Sequence, residues 1–173
     1  MAFLVSINSA VVPFLNADTG KIDKEDVKGW AAFNNNWQTV ETDFTGLASK
    51  IHLGCSISGA ILKEGKREKS LESFDCANLI IYDVDYGWTV EQALKNDFIK
   101  NYAGLVYISP SHTEENNRFR IVFALEEPIY DKGFYEFVIK QLARQLYNFD
   151  FRATDATRLF FGGFPGRDSA VLV

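Results

Sequence analysis

The stretch LIIYDVDYG at 79–87 places two carboxylates, Asp83 and Asp85, at the end of an apolar run, with Gly87 just beyond. In a β-strand residues i and i+2 point to one face, so the two side chains converge. Converging carboxylates repel unless a cation or a basic group lies between them. Further on, SPSH at 109–112, RFR at 118–120 and FDFRATDATR at 149–158 add hydroxyls, a histidine, arginines and two more aspartates. A set rich in hard oxygen donors selects Mg2+ or Mn2+. Two such ions about 4 Å apart can activate a hydroxyl and stabilise a leaving pyrophosphate oxygen. Arg118 and Arg120, again at i and i+2, can hold phosphate oxygens, and His112 can donate to a phosphate without acting as a base. These residues suit a metal-bound phosphate substrate.

The elements that must position them follow from periodicity. ANLIIYDVD (77–85) predicts a strand, and TVEQALKNDFIKNYA (89–103) a helix with Thr89 as N-cap. GLVYIS (104–109) is a second strand, followed by the polar loop PSHTEENN. RFRIVFAL (118–125) is a third, with Phe119, Ile121, Phe123 and Leu125 on one face. An amphipathic helix spans about 131–149, and TRLFFG (157–162) predicts a fourth strand. The succession β-α-β-β-α-β is the split βαβ arrangement of a ferredoxin-like, RRM-like α+β core over 76–165. Right-handed crossovers make strands one and two parallel, with strand three antiparallel between them and strand four outside strand one. Asp83 and Asp85, then Ser109, Ser111 and His112, then Arg118 and Arg120, and finally Asp150, Asp155 and Arg158 all reach one sheet edge.

Residues 1–75 predict a mainly helical extension: helices over 22–33 and 42–54, then a strand over 55–62. The loop KEGKREK at 63–69 carries Lys63, Lys66, Arg67 and Lys69 against Glu64 and Glu68, a local basic patch or a solvated turn.

The 173 residues suffice for one domain with a proper core. No run of about 18 apolar residues could cross a membrane, and the N-terminus lacks the basic region of a signal peptide. Cys55 and Cys76 form no CxxC, so a structural zinc is not expected, and the setting reads as reducing and cytoplasmic. The 15 Phe suit aromatic packing on a sheet. A net charge of −5 argues against a strong bulk electrostatic grip on nucleic acid. The closing FFGGFPGRDSAVLV reads as a domain continued by another downstream.

In order, DVD after the first strand, SPSH after the second, FRIVFAL and FDFRATDATRLFFGG resemble the motifs of archaeo-eukaryotic-type primases. More narrowly, they resemble the primase-polymerase domains of plasmid, phage and bacterial replication proteins. The resemblance covers roughly residues 50–165. It implies that Asp83 and Asp85 bind metal, joined by Asp150 of the Phe149-Asp150 pair, with Asp155 as the alternative third ligand. It implies that Ser111 (or Ser109, since the spacing to His112 differs from the family's) and His112 contact nucleotide phosphates. Arg67, beside Lys66, matches a basic segment that faces nucleotide or template. The implied activity is nucleotidyl transfer from nucleoside triphosphates onto a primer along a single-stranded DNA template, often beside a helicase domain.

Three rivals share parts of the pattern. A haloacid-dehalogenase-type phosphatase starts hhhDxD but places Thr or Val where Gly87 stands. A DxD glycosyltransferase has a longer, mostly parallel sheet. A non-catalytic RRM-like module binds single strands through aromatics in mid-strand. Here the candidates for an exposed strand-three face are Arg118, Arg120 and Val122, which favours catalysis.

Overall fold

A computed structural model describes residues 1–9, 31, 33–67, 73–146, 154–163 and 169–173. The strands are β1 (Phe3–Asn8), β2 (Gln38–Thr42), β3 (Ser56–Ser58), β4 (Ala60–Leu62), β5 (Phe74–Val84), β6 (Leu105–Ile108), β7 (Phe119–Ile129) and β8 (Ala170–Leu172). The helices are α1 (Phe44–His52), α2 (Val90–Lys95), α3 (Asp97–Tyr102) and α4 (Lys132–Gln145). A five-stranded sheet has the order β4-β5-β7-β6-β8, and a three-stranded sheet the order β2-β1-β3.

The centre of the larger sheet is as the sequence predicts. β7 lies antiparallel between β5 and β6, which makes β5 and β6 parallel. The 89–103 helix is two helices, because Asn96 takes an extended conformation and its side chain accepts from the Ile99 amide at 3.1 Å. An asparagine side chain that offers the backbone this alternative ends one helix and caps the next. Thr89 caps α2 in a reciprocal capping box with Gln92.

Other expectations are corrected. The predicted helix over 42–54 is present as α1, but among the described residues the N-terminal part is not mainly helical, since FLVSIN and QTVET form the antiparallel strands β1 and β2. Residues 22–30 lie outside the described residues. TRLFFG does not flank β5, because β4 takes that edge. Phe160 instead makes a single antiparallel bridge to Ile57 of β3, with both backbone hydrogen bonds at 2.8 Å.

Side-chain alternation builds two cores on the two faces of the central sheet. Ile80, Tyr82, Val84, Val106, Phe119, Ile121 and Phe123 face α2, α3 and α4. Leu79, Ile81, Leu105, Tyr107 and Val122 face the smaller sheet and α1, where Phe3, Val5, Leu47, Ile51 and Ile57 meet them. Arg120 and Val122 are therefore buried, not exposed.

CSISGAIL, read as one strand, breaks at Gly59 and supplies β3 to one sheet and β4 to the other. A Cβ at Gly59 would lie 2.6 Å from the Leu79 carbonyl oxygen and 2.8 Å from the Tyr135 hydroxyl. Those two atoms are themselves hydrogen-bonded at 2.8 Å, beside the register shift that interrupts the β5–β7 ladder between Ala77 and Leu79. The crossing of the chain between sheets thus rests on a glycine over a buried hydroxyl. Gly59→Ala should cost about 1–3 kcal/mol through overpacking, and Tyr135→Phe about 1–3 kcal/mol by orphaning the carbonyl. Urea denaturation midpoints of the two variants measure both.

Candidate active site

On the face toward the smaller sheet, β5, β7 and β6 present matched rows. Ile81 pairs with Val122, which pairs with Leu105; two residues on, Asp83 pairs with Arg120, which pairs with Tyr107. The apolar row stops and a charged one begins at the rim, so both side chains of the pair are only 9% exposed.

Arg120 is engaged on every side. Its Nε donates to Asp83 Oδ1 at 3.0 Å, and its Nη1 to the Phe161 carbonyl at 2.8 Å and to the Tyr107 hydroxyl at 3.5 Å. The rings of Tyr107 and Phe160 flank its guanidinium at 5.4 and 5.1 Å. Burial acts to lower its pKa, but Tyr107 and Asp83 outweigh that and it is raised. Burial, opposed in part by Arg120, pushes the Tyr107 hydroxyl up to about 12.

The outer contacts are looser. Arg158 Nη2 is 3.7 Å from Asp83 Oδ2, and Arg118 Nη1 is 3.8 Å from Asp85 Oδ1, with both arginines and Asp85 about one-third exposed. His112 Nδ1 accepts from the Arg118 amide at 3.0 Å, so in the neutral ring Nε2 carries the proton and is the donor. The loop is pinned by Ser109, whose amide donates to the Arg118 carbonyl at 2.9 Å, whose carbonyl accepts from the His112 amide at 3.0 Å, and whose Oγ accepts from the Ser111 amide at 3.3 Å.

The structure therefore gathers Asp83, Asp85, Ser109, Ser111, His112, Arg118, Arg120 and Arg158 at one sheet edge. Asp150 lies outside the described residues. Asp155 is taken up locally: Oδ1 accepts from the Thr157 amide and hydroxyl, both at 3.1 Å, and Oδ2 pairs with Arg67 at 2.9 Å. Among the described residues no three His, Cys, Asp or Glu side chains form a metal-holding group. Lys66 is exposed and reaches Glu64 at 4.0 Å. Sequence reasoning missed Tyr107, Phe160 and the Phe161 carbonyl. The alternation of GLVYIS places Tyr107 on the same face as Leu105 and could have identified it. The bridge that brings in Phe160 leaves no local signal.

Removing one partner of a buried pair strands the other. Arg120→Ala should destabilise the fold by about 3–5 kcal/mol, whereas Arg158→Ala, at the looser and partly exposed contact, should cost under about 1 kcal/mol. Denaturant titration distinguishes the two. Alkaline pH adds a second expectation. Tyr107 titrates at about 12 in the fold against about 10 in an unfolded chain. The unfolded state then loses a proton that the folded state keeps, so stability is intact below pH ~10 and falls by ~1.4 kcal/mol per unit between the two values. Tyr135, raised by burial and then by Asp155, shifts in the same direction. Tyrosinate absorbance from these two rings should appear only as the protein unfolds.

No curated protein matches the chain in a sequence search. Among solved structures it is similar to the AEP domain of the cyanophage S-2L primase-polymerase, with a TM-score of 0.51 and 11% identity over 98% of this chain and 80% of that one. At that identity the likeness is one of fold, and the fold is the archaeo-eukaryotic primase fold that the motif order implies. The profile of the VapE N-terminal domain matches residues 49–172, from the end of α1 through β8. That match covers well over half of the sequence, and the chain belongs to the VapE N-terminal domain family.

Proposed function

We propose that this domain is a DNA-templated nucleotidyl transferase, a primase or polymerase that joins a nucleoside triphosphate to a 3′-hydroxyl. What supports the reading is two strand-end carboxylates set beside arginines and a donating histidine, at one edge of an archaeo-eukaryotic primase fold. Asp83 Oδ2 lies 3.7 Å from Arg158 and Asp85 Oδ1 lies 3.8 Å from Arg118, and a hard cation would compete with these arginines for the two carboxylates. Asp83 and Asp85, with Asp150, would hold one or two Mg2+ or Mn2+ ions. Bound there, the metal would lower the pKa of the attacking hydroxyl and neutralise charge on the leaving pyrophosphate.

The chain's own residues supply the rest. Arg120, held by the Phe161 carbonyl and two rings, orients Asp83 and is a positioning residue. Arg118 and Arg158 are exposed enough to turn from carboxylate to phosphate, and His112 Nε2–H adds a neutral donor. The 3′-hydroxyl gives its proton to solvent as its oxygen bonds to the α-phosphorus, and the bond from that phosphorus to the bridging oxygen breaks, releasing pyrophosphate. A single-stranded DNA template and its primer would lie along this edge, where local arginines offset the overall charge of −5. A helicase domain is the partner that would expose such a template.

The non-catalytic RRM-like reading is disfavoured, because the smaller sheet covers the strand face that such a module uses. Incorporation of labelled nucleotide on a primed template with Mn2+ tests the proposal. Asp85→Asn is the informative variant, since Asp83 belongs to a buried pair and its loss also disturbs the fold. Asp85→Asn should lower incorporation at least about a hundredfold with an unchanged melting curve. Wild-type incorporation by that variant would refute the metal assignment.

A further inference from the structure

A pocket of about 240 Å³ is lined by the residues that follow Asp85 and those that precede Arg118, the two groups of the 3.8 Å contact. One wall is the turn that leaves β5, with Tyr86, Gly87 and Trp88; the other is the end of the loop that enters β7, with Glu115, Asn116 and Asn117. Its walls are thus the chain continuations of Asp85 and Arg118 themselves. Gly87 makes the turn at φ 84°, in the left-handed region that favours glycine. The opposite loop is stapled by the reciprocal Thr113–Asn116 backbone bonds at 3.1 and 3.2 Å. Both walls are set by backbone, and the Thr89–Gln92 capping box of α2 lies between them in the lining.

The lining selects the ligand's chemistry. It contains no cation, and Glu115 is its one charged group, so a phosphate is excluded and a neutral group with N–H donors is favoured. Tyr86, 56% exposed, and Trp88 offer aromatic faces. Asn117, half-buried, makes no side-chain hydrogen bond to any described residue, and an amide gives the donor and acceptor pair that base edges require. The volume is below the ~300–1,000 Å³ of clefts that take a whole ligand, so it suits one part of a larger molecule.

We infer that this pocket receives the nucleobase of the triphosphate whose phosphates lie against Arg118, Arg158 and His112, an inference that rests on the reading above. Tyr86 stacks on the base and Asn117 addresses an edge of it that template pairing does not use.

Calorimetric titration with dATP and with inorganic tripolyphosphate, in Mg2+ buffer without DNA, tests it. Wild type should bind dATP more tightly than tripolyphosphate. Tyr86→Ala and Asn117→Ala should each weaken dATP roughly tenfold, leave tripolyphosphate within about twofold, and keep the wild-type melting curve. Tyr86→Phe should retain dATP affinity, since stacking needs the ring and not the hydroxyl. If tripolyphosphate binds wild type and both alanine variants bind dATP as wild type does, the pocket is not the base site and the phosphate assignment stands. If wild type binds neither ligand, the phosphate assignment falls and the base site with it.

Discussion

Everything at the sheet edge depends on one buried ion pair, Arg120 with Asp83, clasped between the rings of Tyr107 and Phe160. An arginine and an aspartate placed in a protein interior cost several kcal/mol each in lost hydration, and geometry must recover that cost. Here the guanidinium meets a carboxylate, a carbonyl, a hydroxyl and two aromatic faces. A lysine could not satisfy these partners, because a point charge lacks both the fork and the planar faces. The pair fixes one oxygen of Asp83 inward and leaves the other toward Arg158. A carboxylate that might have rotated freely has one defined direction.

That arrangement is possible because the central sheet is covered on both sides. Its helix face is uniformly apolar, while its other face is apolar for two cross-strand rows and charged in the third. The charged row lies where the smaller sheet ends, so its inner atoms are dry and its outer atoms reach solvent. Arginines of two kinds result. Arg120 is structural in its saturation, whereas Arg118 and Arg158 meet their aspartates at 3.8 and 3.7 Å on a partly exposed rim.

Much of this was legible in the sequence, and the parts that were not share a cause. β5, β7 and α4 read correctly because each is long enough for its own period to dominate, β6 because it is an apolar run between Gly104 and a polar loop, and the antiparallel position of β7 follows from the element order. The gathering of Asp83, Asp85, His112, Arg118 and Arg120 follows from that order as well. The role of Arg120 did not, because its burial depends on a second sheet formed by β1, β2 and β3, whose short runs carry little periodicity. TRLFFG has the composition of a strand, yet one residue of it bridges to β3. Such pairing is decided by which edge is vacant, and a local pattern holds no record of that. Asn96 shows the opposite case, in which one residue outweighed the helical period around it.

The segment around Phe160 and Phe161 has a consequence in time as well as in space. The Asp83–Arg120 pair joins residues 37 apart in sequence, whereas the bond from Ser58 to the Arg158 carbonyl joins residues 100 apart. Contacts of that span close only after the shorter ones, since each must first overcome the entropy of the intervening loop. The β5–β7 ladder can form while Asp83 and Arg120 are still hydrated at an open rim. Dehydration of the pair, and with it the fixed direction of Asp83, arrives when the chain near 160 docks between the sheets. On a ribosome, that places maturation of the site after nearly the whole domain has emerged, so a partly made domain would hold its sheet before it holds its chemistry.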